Sequence, residues 1–386
     1  MFLSNGFSEP TKNTTYKINY PLLIVDDSTK VTLKDIDSDK PINLGSLTKL
    51  MIAEIVLNKI ADGNLKLDQK VTITKDIWQR GGAPSGAFSM FTKPNTQVSI
   101  LDLLRGLIID NATDAALALS ESVSGNDIDF IALMNKRAQE LHLNKTHFAN
   151  VIETSNSQEV STGTLKDIMD LFTYIINNHP TYLKIASEKT FTWNNITQYN
   201  INFLQRNIHS SFNAVAGIVA SSKQDGNITL ACVEKDGHRV FIAIVTPGSK
   251  SSNRSLTNKW LEWAYNNFNL LLICDKNKEV IKLPVYAGTE AEVGAKSSEN
   301  LYGLVSNEES DFTKIKLIYK VPLIAPIQKG VIIGKVQIIS HDKVASENNL
   351  IAAKDIQSTS FFNKFKVSIY QATIGWLVDI IYYRFS

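Results

Sequence analysis

Gly45-Ser46-Leu47-Thr48-Lys49 leads into a long apolar segment. From Ser46 to Asp62 the sequence predicts a helix, with Gly63 placed to end it. Leu47, Leu50, Met51, Ile52, Ile55, Val56, Leu57 and Ile60 surround most of that helix. Apolar residues on nearly all sides predict a helix buried inside a domain rather than lying on it. A Ser-x-x-Lys pair at such a start puts a hydroxyl and an amine one turn apart on one face. The amide dipoles at a helix N-terminus favour negative charge developing on the serine oxygen. A buried lysine can lose its proton near neutral pH and serve as the base that activates the serine. Burying Lys49 needs a reason, and acyl transfer through Ser46 supplies one.

Working outward, Leu22–Val25 and Lys30–Leu33 flank Asp26–Thr29 as strand, turn and strand. A second helix opens at Ser99, with Asp102 three residues on resembling a capping box, and runs through Ile109. Two more helices are expected near Asp114–Ser122 and Asp127–His142. Ile228–Val233 and Val240–Val245 around Lys235-Asp236-Gly237 predict a hairpin, and a helix Leu256–Asn267 with Trp260 and Trp263 closes this region. From about Leu270 the pattern shifts to short alternating strands. Ile315, Leu317, Tyr319 and Val321 share one face, opposite Lys314, Lys316 and Lys320. Phe361–Phe385 mixes aromatic and aliphatic residues with Lys364, Lys366 and Arg384, as in a helix that lies in a membrane interface or docks on the protein. The chain is therefore expected to divide into residues 1–268, 269–358 and 359–386.

At 386 residues the chain is too long for one ordinary domain. Its apolar fraction of 44% and charged fraction of 20% are those of a folded protein. A net charge of +2, with Lys and Arg dispersed, argues against a nucleic-acid partner. Cys232 and Cys274 sit in apolar contexts, as buried free thiols or as a bridge if the fold joins them. There is no apolar run of transmembrane length, and Met1–Phe7 shows no basic segment leading into an apolar one, so no export signal is legible. His142 and His147 have no partner cluster for a metal. Gly330–Lys335 is one residue short of a phosphate loop, and Gly82–Gly86 misses the spacing of a nucleophile elbow.

Further segments continue the signal in order: Met90–Pro94, Gln97–Ser99, Gly106–Ile109, Asp114–Ala116, Phe130–Asn135, Asn144–Phe148, Ser161–Thr162 and Ala325–Gly330. With Gly45–Lys49, this set resembles the D-alanyl-D-alanine carboxypeptidases, the low-molecular-mass penicillin-binding proteins of the serine peptidase S11 type. The resemblance implies an α+β transpeptidase domain like that of penicillin-binding proteins and β-lactamases, an all-β C-terminal domain and a terminal amphipathic membrane-anchor helix. It makes Ser46 the nucleophile and Lys49 the base, with no metal or organic cofactor.

Two motifs depart from the family pattern. Asn111-Ala112-Thr113 stands where Ser-x-Asn is expected, which gives Asn111 a catalytic place and Thr113 a substrate-binding one. A literal Ser124-Gly125-Asn126 lies beyond that helix, in the position of a surface turn. Val215-Ala216-Gly217-Ile218 fits the step before the Lys-Thr-Gly strand, so Val219, Ala220 and Ser221 occupy the substrate-binding triplet. Lys223 is two register steps past it. In the family the triplet's lysine places the substrate carboxylate and helps keep the neighbouring lysine neutral. Leaving a buried carboxylate without its partner costs about 2–5 kcal/mol, roughly thirtyfold to several-thousandfold in rate.

The expected activity is removal of the terminal D-alanine from peptidoglycan stem peptides, with β-lactams as acylating inhibitors. The resemblance implies work at the periplasmic face of a bacterial inner membrane, in contact with the membrane surface through the C-terminal helix. A second reading is a relative of the same fold with weak or no turnover that binds at the cell wall. A β-lactamase fits less well, because of the additional β-rich domain and the terminal helix.

Overall fold

The computed structural model describes residues 19–153, 159–206, 211–222, 224–306, 313–320, 323–340, 343–359 and 376–381. Its first half is organised by a five-stranded antiparallel sheet. The strand order is Thr32–Ile36, Leu22–Asp26, His238–Thr246, Gly226–Lys235 and Asn213–Ser222. Both faces are covered, which is why its strands read as nearly continuous apolar runs. Side chains alternate across a strand, so Phe241, Ala243 and Val245 enter one core while Val240, Ile242 and Ile244 enter another. The expected hairpin is present, with Leu230 opposite Ala243 and Lys235 opposite His238.

The larger core gathers the helices α1 (Thr48–Ala61), α2 (Lys75–Gly81), α3 (Ile100–Asp110), α4 (Thr113–Ser124), α5 (Asp127–Glu140), α6 (Leu165–Asn178) and α7 (Pro180–Ala186). The smaller core, on the opposite face, is closed by Leu261 and Ala264 of α8 (Lys250–Asn267). Residues Thr48 through Leu57 of α1 are all buried, as the apolar pattern predicted. Even Glu54 is buried, held by Arg137 of α5 at 2.7 Å. Ser99 caps α3 as expected, its Oγ accepting from the Asp102 amide at 3.1 Å.

Three details differ from the sequence reading. The helix does not begin at Ser46: a 3-10 turn, Gly45–Leu47, precedes α1 and tightens its entry. The terminal segment was expected to be helical, but Trp376–Ile381 forms a strand antiparallel to Thr313–Lys320. Val378, Ile380 and Ile381 are β-branched and suit that conformation. Residues 360–375 and 382–386 of the same expected helix lie outside the described residues, as do Met1–Phe7, Val321 and Lys223. Cys232 and Cys274 are both buried and free, so the open question of a bridge closes in favour of thiols.

The β-rich region begins with Phe268–Cys274, paired to Leu301–Ser306. It continues in a seven-stranded sheet whose centre, Glu292–Ser297, Lys343–Ala352 and Ile332–Ser340, carries a separate apolar core. Among the described residues, no helix is long and apolar enough to cross a membrane.

Candidate active site

The nucleophile turn is built by a glycine in a conformation that other residues disfavour. Gly45 has φ +50°, and a Cβ there would lie 2.3 Å from the Ser221 carbonyl oxygen of the edge strand Asn213–Ser222. Asn43 fastens the turn from the other side. Its Oδ1 accepts from the Gly45 amide at 2.8 Å, and its own amide donates to Asp225 Oδ2 at 2.7 Å. Ser46 is thereby held between the start of α1 and the edge strand.

Lys49 lies one turn along, 5% exposed. Its Nζ donates to Thr113 Oγ1 at 3.1 Å and to the backbone carbonyl of Asn111. Burial pushes the ammonium down to about 7, against the opposing pull of Asp114 and Asp110. A lysine titrating there can hold or release a proton at neutral pH, which suits a general base.

Asn111 and Thr113 form the corner between α3 and α4. Asn111 is the left-handed cap of α3 at φ 54°, a place asparagine tolerates better than most residues. Its contribution to Lys49 is the main-chain carbonyl, whereas the sequence had pointed to the side chain. Its Oδ1 is buried without a hydrogen-bond partner. Thr113 opens α4 and supplies the hydroxyl contact, while its amide donates to the Phe88 carbonyl at 2.7 Å. Next to it, the fully buried Asp114 orders the facing loop. Its carboxylate accepts from Ser89 Oγ, from the Met90 and Thr92 amides and from Thr92 Oγ1, at 2.8–3.1 Å.

One cleft of about 780 Å³ is lined by Ser46, Lys49, Asn111 and Thr113 on one side and by Val219, Ala220 and Ser221 on the other. The structure thus brings together all seven residues singled out from the sequence. Ser124-Gly125-Asn126 is elsewhere: Gly125 ends α4 in a left-handed conformation and Asn126 caps α5. Four charged residues that the sequence did not mark also line the cleft: Arg80, Glu153, Arg206 and Lys250. They come from α2, a loop, the 3-10 turn Phe203–Arg206 and the first position of α8, and no local spacing connects them. Arg80 is engaged by Asp76 at 2.9 Å and by Asp127. Lys250 Nζ stands 5.1 Å from the Phe88 ring centroid. Among the described residues, no His, Cys, Asp and Glu cluster could hold a metal ion.

Comparison with known proteins agrees with this arrangement. Residues 14–245 match the family model described as D-alanyl-D-alanine carboxypeptidase, peptidase S11, and residues 268–358 match the C-terminal domain of penicillin-binding protein 5. The D-alanyl-D-alanine carboxypeptidase DacD of Salmonella typhimurium is 28% identical over 83% of this chain and 82% of its own length. DacC of Escherichia coli is 28% identical over 89% of this chain and 85% of its own. Penicillin-binding protein 5 of Haemophilus influenzae superposes with a TM-score of 0.72 at 26% identity, covering 92% of this chain and all of that one.

Proposed function

The chain belongs to the D-alanyl-D-alanine carboxypeptidase family, and from that premise we propose that it is a serine-type carboxypeptidase removing the terminal D-alanine of peptidoglycan stem peptides. The observation that carries this reading is the buried Lys49, one turn from Ser46 at the floor of the cleft and titrating at about 7.

In its neutral form Lys49 takes the proton from Ser46 Oγ, which attacks the carbonyl carbon of the penultimate D-alanine. The C–N bond then breaks, the leaving amine takes up the proton, and D-alanine departs, leaving an ester on Ser46. Water attacks that ester with Lys49 again accepting a proton, and the shortened peptide leaves as a carboxylic acid. Amides at the entry to α1 offset the charge on the tetrahedral oxygen. Thr113 Oγ1 and the Asn111 carbonyl hold the Lys49 amine in place. A β-lactam presents a strained amide to the same serine and would acylate it. No step needs a cofactor.

Val219, Ala220 and Ser221 bring no positive charge to the cleft, so the substrate's terminal carboxylate must find it elsewhere. Arg206 and Lys250 line the same cleft and fill that role. The row Ser221, Asn227, Thr246 crosses three adjacent strands and ends four residues before Lys250, which brings α8 to the same end of the sheet. Polymerised wall lies outside the cytoplasmic membrane, and the reaction belongs to that compartment.

The second reading, a wall-binding relative with little turnover, is favoured by this uncharged edge strand. Release of D-alanine from a stem pentapeptide separates the two. Release by the native chain and none by Ser46→Ala supports the enzyme; binding without release supports the second reading.

A further inference from the structure

Glu153 lines the cleft but enters no step of the acyl transfer. It belongs to the segment between α5 and α6. Its Oε1 accepts from Asn43 Nδ2 at 3.2 Å, while Oε2 is buried with no hydrogen-bond partner. A buried carboxylate oxygen left unpaired is unfavourable for the folded state. Oε2 is also closed off from the cleft, so what Glu153 does, it does through Asn43.

Asn43 is 3% exposed and stands two residues before the glycine of the nucleophile turn. Its side-chain amide has an accepting end and a donating end of nearly equal shape. Oδ1 accepts from the Gly45 amide at 2.8 Å, and Nδ2 faces Glu153. A carboxylate only accepts, so it admits the donating end of Asn43 and excludes the other. The flipped amide would set Nδ2 against the Gly45 N–H and Oδ1 against the carboxylate, unfavourable at both ends. Glu153 thereby fixes which end of Asn43 meets Gly45.

The same segment touches α1 a second time. Thr48 Oγ1 lies 3.3 Å from the carbonyl oxygens of Val151 and Gly45. From the other side, Asp225 Oδ2 accepts from the Asn43 main-chain amide at 2.7 Å, in the turn that follows the edge strand Asn213–Ser222. The nucleophile turn is thus clasped between residues 151–153 and the edge strand, with Asn43 as the joint.

We propose that Glu153 is a positioning residue for Ser46, acting through Asn43 to set the Gly45 peptide unit from which the nucleophile follows. The proposal rests on the acyl-transfer reading of Ser46. Misplacing a reacting group by about 1 Å can lower a rate by about a hundredfold, so a small slackening of this turn is enough to be measured. Without the carboxylate, Asn43 takes either orientation, and Gly45 loses its acceptor for part of the time.

The test reverses the polarity of the pair in the full chain. Second-order acylation by benzylpenicillin is measured at pH 8, where Lys49 is mostly neutral, together with NMR hydrogen exchange of the Gly45 amide. Asn43→Asp sets two acceptors face to face and is expected to slow acylation by about tenfold and to speed exchange by about as much. Adding Glu153→Gln to Asn43→Asp supplies the missing donor from the opposite side, and both rates should return to within about threefold of native. Side chains that only fill space give no such recovery. Glu153→Ala, which leaves Asn43 in place, should slow acylation severalfold, and it carries the test if Asn43→Asp does not fold. A double variant no faster than Asn43→Asp, or native acylation and exchange in Glu153→Ala, overturns the role. Loss and recovery of Gly45 protection in a chain that takes no penicillin keeps the setting of the turn and removes the acyl-transfer reading; a penicillin adduct without recovery does the reverse.

Discussion

Gly45 and Ser221 touch backbone to backbone: a Cβ on Gly45 would sit 2.3 Å from the Ser221 carbonyl oxygen. The turn that carries the nucleophile and the strand that lines the far wall of the cleft are therefore set against each other without an intervening side chain. Gly45 is needed twice over, for its φ of +50° and for this approach.

Gly45→Ala should cost at least about 2 kcal/mol, because both strain and overlap oppose it. It should also lower penicillin acylation by about tenfold or more as the edge strand shifts. Gly63→Ala is the control. Gly63 also has a positive φ, of +75°, but nothing lies within 4 Å of its missing Cβ. It should lose about 1 kcal/mol and keep its acylation rate. Thermal unfolding and adduct formation on both variants check the pair.

Lys49 sets the pH dependence. The reactive form is the neutral amine, so acylation should rise about tenfold per pH unit below 7 and level off above it. The same burial weakens the fold. Folding lowers the lysine from 10.5 to about 7. Between these values the unfolded chain binds the extra proton, so stability rises with pH across that window, and the penalty is complete below about 7. It amounts to roughly 5 kcal/mol at full size. Removing the amine leaves the Asn111 carbonyl and Thr113 hydroxyl short of a partner, which costs about 1–3 kcal/mol. Lys49→Met should thus be about 2 kcal/mol more stable than the native chain at pH 6–7 and inert to penicillin. Equal or lower stability in denaturant unfolding at pH 6 would count against this burial account.

The positive charge of the cleft can be moved. Arg206→Gln and Lys250→Gln should each slow acylation by a carboxylate-bearing penicillin by about tenfold, while a penicillin methyl ester should react at nearly the native rate. Val219→Lys returns a cation to the edge strand and should speed the acid form by about tenfold or more. Second-order acylation rates for acid and ester provide the comparison. An equal loss for both forms in the Gln variants would place these side chains in the fold rather than in carboxylate recognition.

Much of the fold was legible because its elements obey local rules. The apolar ring of α1, the Ser99 cap and the hairpin about Lys235–Gly237 are each written in a few neighbouring residues. The cleft was legible in part, since Ser46 and Lys49 are one turn apart and Asn111 and Thr113 share a corner. What stayed hidden depends on contacts between distant segments. Arg80, Glu153, Arg206 and Lys250 meet only through the tertiary fold. The use of the Asn111 main chain in place of its side chain follows from a left-handed backbone at the end of α3, which one asparagine does not announce. The strand Trp376–Ile381 was hidden for another reason: an apolar, aromatic run suits a helix or a sheet, and pairing with Thr313–Lys320 decides between them.

The most direct measurement is the intact mass of the chain after incubation with benzylpenicillin, beside that of Ser46→Ala. We expect an increase of one penicillin on the first protein and none on the second, with the extent rising as pH passes through about 7. A folded native chain that stays unmodified across that range would contradict it, because Ser46 and Lys49 would then not form a working acylation pair.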